Sequence, residues 1–386
     1  MYALLFMAWK KASMKVQRRT LGWPRSLGCL VAAVAMSVSI AAPAAARSTS
    51  SSHPECTVHV LNVRLADPGP AAYQLWGTLC LRHGSAPRTV QVLQPGGTYN
   101  HTYWDSTYHN GIYSYVNAAT RAGYATFDFD RIGTGNSTIP PYTVMSLEGE
   151  AVALHDVVTA LRSGAVGSHP FSHVITVGHS FSSAVGATEA ARYDDVDGFI
   201  DTGLVHAASQ TALSFLATAN HDANLDPKFA GRNGLDGYIT TVPGVRGFYH
   251  SPTTSNADII ALDEANKDIH SSVEGPQIVA FALPPTPADA ITQQVTAPVL
   301  VMIGSDDPFF CTPDTIDCSS TKNLRAYEAR YWHASGANVT FILLPGVGHS
   351  IHLSTAEPLA AAIMLAWSSC IARPRDSRPL PQKSCD

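Results

Sequence analysis

Three residues of this 386-residue chain have side chains that together could carry out acyl transfer: Ser180, Asp307 and His349. A serine hydroxyl becomes a nucleophile when a nearby imidazole removes its proton, and a carboxylate bonded to the imidazole fixes the tautomer. Backbone N–H groups must also face the point where negative charge develops on the substrate oxygen. The fold therefore has to bring these three residues and two N–H donors together.

Ser180 follows a short apolar run, and an alanine-rich stretch comes after it, so we predict that it lies on a turn between a strand and a helix. Residues 178–182 read GHSFS, which differs from the G-x-S-x-G pattern of a nucleophile turn only where Ser182 replaces the second glycine. Serine also caps many helices through its hydroxyl. This stretch alone does not decide between the two roles.

The base is expected in a glycine-rich loop. His349 lies in the run GVGHS at residues 346–350, and such a loop lets an imidazole reach inward. His352 is the alternative base, but we expect it at the start of the last helix. The loop position favours His349.

The acid is expected just after a strand. An apolar run at 298–303 predicts that strand, and Asp307 follows it immediately before Pro308. Two alternatives stay open, because Asp306 is adjacent and Asp201 follows the strand after the serine-bearing helix.

Alternating strands and helices are predicted to position these residues. From Leu147, apolar residues recur in steps of four and three, which is typical of one face of an amphipathic helix. Apolar runs predict strands at 57–65, 73–82, 90–93, 124–129, 174–179, 196–200, 298–303 and 339–344, and further helices at 321–335 and 356–369. This alternation predicts an α/β fold, with a mostly parallel sheet covered by helices on both faces.

The alternation stops between residues 205 and 290. This segment has Asn/Asp/Gly-rich turns and scattered aromatic residues but no clear strand rhythm. We therefore predict a core formed by residues 47–204 and 291–386, with 205–290 inserted as a cap or lid.

Four motifs in chain order resemble those of the α/β-hydrolase superfamily. They are PGG at 95–97 with YWD at 103–105, DRIGTGNS at 130–137, GSDDP at 304–308 and GVGHS at 346–350. The order Ser180, Asp307, His349 is the one found in that fold. Pro95 departs from the family's pattern, in which histidine is commoner. The resemblance covers most of residues 88–370 and implies an α/β-hydrolase fold with an inserted cap.

The resemblance also implies an oxyanion hole formed by the backbone N–H groups of Phe181 and Gly97, with Thr98 as the alternative to Gly97. Asp130 and Arg131 are expected to form a local ion pair that holds their loop. His179 is expected to pack against neighbouring strands. The glycosylation sequons at Asn100, Asn136 and Asn338 are assigned no role.

Residues 1–46 have the build of a secretory signal peptide: a basic segment, an apolar run at 27–42 and the sequence AAA at 44–46. We therefore expect a secreted protein, extracellular or periplasmic. A membrane anchor is the alternative, and the choices between Met1 and Met14 as the start and between Sec and twin-arginine export stay open. Removing this segment removes six of the 25 basic residues and leaves a net charge of −11, which argues against nucleic acid or anionic lipid as a partner.

Seven cysteines include Cys29 in the signal segment, and the other six suggest disulfides in an exported chain. Their spacing lacks a metal-binding pattern, so we expect neither a metal nor a cofactor. From spacing we predict the local pairs Cys56–Cys80, Cys311–Cys318 and Cys370–Cys385, out of 15 pairings that six cysteines allow.

Within the α/β-hydrolase superfamily that the chain resembles, a serine nucleophile and export favour a carboxylic-ester hydrolase that acts on a small-molecule ester. We expect no stable membrane association after signal cleavage. Lipase, lactonase and peptidase activities are alternatives, as is a non-catalytic binding protein of the same fold. An enclosing cap would favour small or medium acyl groups. The natural substrate, the shape of the cap and the oligomeric state stay open.

Overall fold

The computed structural model describes residues 53–167, 169–332, residue 334 and residues 338–371. The strands in this part of the chain are β1 (Glu55–Val63), β2 (Tyr73–Leu81), β3 (Thr89–Gln94), β4 (Ala125–Phe129), β5 (His173–His179), β6 (Gly198–Thr202), β7 (Asn220–Asp222), β8 (Tyr238–Thr241), β9 (His270–Ser271), β10 (Val299–Gly304) and β11 (Val339–Leu344). The α-helices are α1 (Tyr108–Gly111), α2 (Tyr115–Arg121), α3 (Leu147–Ser163), α4 (Phe181–Tyr193), α5 (Gln210–Thr218), α6 (Ala257–Asn266), α7 (Glu274–Ala282), α8 (Thr321–Glu328) and α9 (Glu357–Ile371).

Eight strands form one sheet in the order β1-β2-β4-β3-β5-β6-β10-β11. The β1–β2 hairpin is antiparallel, β2 is antiparallel to β4, and the other pairs are parallel. The central strands β3, β4, β6 and β10 are buried along their whole length, as expected when helices cover both faces. The mostly parallel sheet predicted from the sequence is confirmed.

Helices pack on both faces of this sheet, and β10 shows how. Val299, Val301 and Ile303 point to the face covered by α3 and α4, whereas Leu300 and Met302 point to the face covered by α2 and α9. Successive side chains of a strand alternate between faces, so an uninterrupted apolar run serves two cores.

The segment between β6 and β10 contains α5, α6, α7 and a second sheet, the antiparallel β7-β8-β9. The sequence of this segment shows no clear strand rhythm, yet the structure contains three short strands there. These strands are three, four and two residues long, too short to leave an alternating pattern in the sequence.

The structure links Cys56 to Cys80, which lie opposite each other in the β1–β2 register, and Cys311 to Cys318. Cys385, the expected partner of Cys370, lies outside the described residues, as does the predicted signal segment at 1–46. Across the described ranges, every helix is too short or too polar to cross a membrane.

Candidate active site

Ser180 occupies a sharp turn between β5 and α4. Its φ of 54° lies in the left-handed region, and its side chain does not cap the helix. A Cβ on Gly178 would lie 2.5 Å from the carbonyl oxygen of Ser182, so only glycine lets the helix start so close to the strand. The turn leaves the Ser180 hydroxyl free to face other loops.

Ser180, His349 and Asp307 form one hydrogen-bonded chain. His349 Nε2 lies 2.9 Å from Ser180 Oγ, and His349 Nδ1 lies 2.8 Å from Asp307 Oδ2. The side chains of His349 and Asp307 are buried. The other oxygen of Asp307 accepts a hydrogen bond of 2.9 Å from the Phe309 N–H, which fixes the carboxylate. His349 Nε2 is thus oriented to accept the proton of Ser180, while Asp307 holds Nδ1.

The alternative acids do not bond to His349. Asp306 accepts hydrogen bonds from Ser251 and Ser305 at the surface side of the loop. Asp201 is buried at the end of β6, and burial raises the pKa of its carboxyl well above the ordinary value. Asp307 is the carboxylate that the structure places against the imidazole.

His352 belongs to a 3-10 turn, Ile351–Leu353, and not to the start of the last helix as expected, because α9 begins only at Glu357. Its ring is buried, with its centroid 4.6 Å from that of Trp104 and 5.5 Å from that of Tyr115. Because the chain turns after His349, the imidazoles of His349 and His352 lie in different surroundings.

His179 is a buried packing residue. Its ring stacks on Tyr103 at 4.3 Å between centroids and 11° between planes. Burial, reinforced by the nearby His349, lowers the pKa of His179 well below the ordinary value, so the ring is neutral. Gly203 gives it room, since a Cβ there would lie 3.0 Å from the His179 ring and 3.5 Å from that of His349.

The two expected oxyanion donors lie beside Ser180. A Cβ on Gly97 would lie 3.8 Å from that of Phe181, so the two loops are in contact. Phe181 is the first residue of α4, where N–H groups lack an intrahelical acceptor. In the described ranges, the N–H groups of Gly97 and Thr98 also lack an acceptor.

The structure shows why serine replaces the second glycine of the G-x-S-x-G pattern at position 182. Its buried hydroxyl donates a 2.5 Å hydrogen bond to the carbonyl oxygen of Pro95. A glycine could not make this bond. The serine therefore ties the nucleophile turn to the loop that carries Gly97.

A buried arginine from the inserted segment contacts the same loop. Arg246 donates to Thr98 Oγ1 at 2.7 Å and to Asp263 Oδ1 at 2.5 Å, and its guanidinium lies over the rings of Tyr99 and Tyr249. Thr98 has a φ of 61°, a conformation that costs energy for a branched residue. Sequence reasoning missed Arg246 and Asp263 because no motif surrounds them.

Asp130 and Arg131 do not pair with each other, so that expectation is wrong. Asp130 accepts hydrogen bonds from His101 and Asn136. Arg131 instead binds Glu150 at 2.7 Å and Glu274 at 3.1 Å. Neighbouring side chains that leave a strand point in opposite directions, which separates the two.

An apolar pocket opens at Ser180. It has about 790 Å³ of empty space, part of it open to solvent, and both the sheet loops and the inserted segment line it. The apolar wall consists of Leu204, Ala207, Ala208, Ala212, Leu216, Ile278, Val279, Ala282, Phe309 and Phe310; the polar exceptions away from Ser180 and His349 include Asn220, His270 and Glu274. Among the described residues, the one group of three potential metal ligands lies on and after α3 and α4, outside this pocket lining.

The sequence model of the alpha/beta hydrolase family matches residues 92–362. No protein of curated function matches the chain. Similar solved structures include a thermophilic esterase from Thermogutta terrifontis, 16% identical with a TM-score of 0.52, covering 82% of this chain and 100% of its own. A lipase in an open form is 16% identical with a TM-score of 0.54, covering 83% and 100%. A monoacylglycerol lipase from Paleococcus ferrophilus is 17% identical with a TM-score of 0.51, covering 77% and 99%. At these identities the likeness shows a shared fold.

Proposed function

The chain belongs to the alpha/beta hydrolase family, and on that premise we propose that it cleaves carboxylic esters through an acyl-enzyme on Ser180. The observation that carries the proposal is the hydrogen-bonded chain from Ser180 Oγ through His349 to Asp307. An accessible serine oxygen, an imidazole and a carboxylate in this order supply the nucleophile, the base and the group that fixes the base.

In the proposed reaction, Ser180 Oγ attacks the ester carbonyl carbon while its proton passes to His349 Nε2. Asp307 stabilises the imidazolium that forms. The N–H groups of Phe181 and Gly97, with Thr98 as the alternative to Gly97, stabilise the oxyanion. When the tetrahedral intermediate collapses, the C–O bond breaks and the leaving alcohol takes the proton from His349.

Deacylation repeats these steps with water. His349 accepts a proton from the water as its oxygen attacks the acyl carbon, and Ser180 recovers its proton when the carboxylic acid leaves. The reaction balances with the ester and one water molecule.

The pocket supports an ester with an apolar acyl group of small or medium size. Helices α5 and α7 of the inserted segment contribute alanine, leucine, isoleucine and valine side chains next to Ser180. Walls of this kind exclude water from the oxyanion and gain free energy from apolar contact. We propose that residues 205–290 act as the cap that limits acyl length.

Export is part of the proposal. The described disulfides, Cys56–Cys80 and Cys311–Cys318, are typical of oxidising compartments, and the sequence of residues 1–46 predicts a signal peptide. We therefore expect the enzyme to act outside the cytoplasm after signal cleavage.

The test compares wild type with Ser180→Ala on chromogenic esters of increasing acyl length. Loss of the nucleophile should lower kcat on the order of 10⁴-fold or more, because His349 has no oxygen left to activate. A serine-reactive phosphonate should label the wild type at Ser180, as read by peptide mass spectrometry. The matched control is Ser183→Ala, which removes a neighbouring hydroxyl that donates to the Thr202 carbonyl.

Activity retained in Ser180→Ala, or labelling of Ser182 or Ser183, would remove the basis of the proposal. A wild type that binds esters without turnover would favour the non-catalytic binding protein. Best activity on long-chain triglyceride emulsions, with activation at the oil interface, would favour a lipase and contradict the enclosing cap.

A further inference from the structure

Three potential metal ligands converge where α3 and α4 pack together. His155 lies on α3, Glu189 on α4, and Asp195 in the loop after α4. His155 Nδ1 is 2.8 Å from Asp195 Oδ2 and 4.0 Å from Glu189 Oε1. One ligand atom from each residue lies within 4.8 Å of the other two.

Glu189 is the unusual member of this cluster. Its side chain is fully buried, and in the described part of the chain neither carboxylate oxygen has a hydrogen-bond donor. Asp195 Oδ1 lacks a donor as well. A buried carboxylate without a partner is costly, so a positive charge or a proton must occupy the space between these groups.

The nearby guanidinium of Arg162 does not occupy the space between Glu189 and Asp195. Arg162 donates from Nε to the backbone oxygen of Asp195 at 2.8 Å and from Nη2 to Asp197 at 2.6 Å, so its donors are directed at other acceptors. His155 is held in one orientation, because its ring stacks on Tyr193 at 3.8 Å between centroids. His155 and Asp195 are 21% and 24% exposed, which gives an ion access from solvent.

We propose that His155, Glu189 and Asp195 bind a transition-metal dication of the Zn²⁺ class, with water as the remaining ligand. One imidazole and two carboxylates suit Zn²⁺, which takes few ligands of mixed nitrogen and oxygen type. Ca²⁺ is a poor match because it requires six to eight oxygen ligands. The spacing of the cysteines could not indicate this site, because the proposed ligands are not cysteines and come from parts of the chain that are separated in sequence.

The site would stabilise the fold and not take part in the ester chemistry. Glu189 follows Ser180 by nine residues, which corresponds to about 13 Å along a helix. An ion there joins α3 to α4, the helix whose first residue flanks Ser180. Metal loading should therefore change stability more than turnover.

The experiment uses the purified full chain, stripped with a chelator and then dialysed against micromolar Zn²⁺. We expect one Zn²⁺ per chain by elemental analysis and a melting temperature a few degrees above that of the stripped protein. Glu189→Gln keeps the shape of the side chain but loses the charge, and should weaken Zn²⁺ binding about tenfold or more. Glu148→Gln, an exposed change on α3, is the matched control and should bind as wild type does.

If Glu189→Gln folds poorly, His155→Gln replaces it, because this position is partly exposed. A wild type that binds no Zn²⁺ would overturn the proposal and leave a proton shared by Glu189 and Asp195. Equal Zn²⁺ affinity in wild type and both variants would also overturn it, since the ion would then lie elsewhere. Stoichiometric binding of Ca²⁺ but not Zn²⁺ would contradict the assigned class of ion.

Discussion

The candidate triad depends on glycines as much as on its own side chains. Gly178 lets α4 begin against β5, and Gly203 leaves space beside the rings of His179 and His349. Ser180 itself adopts a left-handed φ that most residues avoid. These are backbone requirements, and they explain why the residues around Ser180 are small.

Asp307 should be the carboxylate on which turnover depends. Asp307→Asn keeps the volume but favours the wrong imidazole tautomer, so kcat should fall on the order of 10⁴-fold. Asp306→Asn and Asp201→Asn should retain turnover near that of wild type, because neither bonds to His349. Steady-state kinetics on one chromogenic ester measures all three variants. Near-normal turnover in Asp307→Asn, with loss in either of the others, would reassign the acid.

At the residue scale, sequence reasoning located side chains whose chemistry comes with a local pattern. Ser180, Asp307 and His349 each follow a predicted strand with a glycine or proline one or two residues away, and the structure brings them together. Arg246 had no such pattern, and its partner Thr98 is 148 residues away in sequence. Contacts between distant parts of the chain depend on tertiary packing, which a local pattern does not encode.

At the scale of elements, two helices of the inserted segment complete the pocket. Helix α5 contributes Ala212 and Leu216, and α7 contributes Ile278, Val279 and Ala282. The long strands of the core were predicted from their apolar runs, whereas the short strands of this segment were not. Hydrophobic periodicity needs several residues to become visible, and β7, β8 and β9 do not provide them.

Gly275 offers a way to narrow this pocket without disturbing the fold. It lines the pocket near the start of α7, and a Cβ there would meet no heavy atom within 4 Å apart from its chain neighbours and the backbone of its own helix. Gly275→Leu should therefore lower kcat/KM for longer acyl esters by about tenfold, while acetate esters react as in wild type. Gly275 directly precedes Pro276 in the first turn of α7, where a Cβ is disfavoured in the helical conformation, so the melting temperature should fall slightly.

The control for this prediction is Gly275→Ala, which adds the same Cβ before Pro276 with little added volume. Rates across a series of acyl lengths and thermal melts measure both effects. An unchanged chain-length profile in Gly275→Leu would show that the acyl group does not extend toward α7.

At the scale of the whole molecule, a buried ionic cluster joins the core to the inserted segment. Arg131 leaves β4, Glu150 lies on α3 and Glu274 begins α7. The Arg131 guanidinium also lies over the Phe181 ring, 4.9 Å from its centroid, beside the expected oxyanion donor. The guanidinium of Arg131 thus binds two buried carboxyl groups and also contacts the residue that follows Ser180.

This arrangement makes stability depend on pH in a definite direction. Burial, with Glu274 nearby, raises the pKa of Glu150 to about 8, whereas Arg131 and His270 overcome burial and lower the pKa of Glu274. Between the ordinary glutamate pKa and about 8, folded Glu150 holds a proton that the unfolded chain releases. The contribution of Glu150 to the free energy of unfolding is therefore largest in acid, and it is lost as pH rises toward 8. Glu274 acts in the opposite direction, at pH values below the ordinary glutamate pKa.

Glu150→Gln should remove this loss, because glutamine stays neutral and can still accept a hydrogen bond from Arg131. The melting temperatures of wild type and variant should lie close together near pH 5, and the variant should become a few degrees more stable by about pH 9. Thermal unfolding across this range measures the difference, and Glu148→Gln, exposed on the same helix, should follow wild type throughout. A constant offset between Glu150→Gln and wild type would mean that Glu150 is charged in the folded protein at neutral pH. Arg131 would then face two buried carboxylates, and the variant should be less stable than wild type between about pH 5 and pH 9.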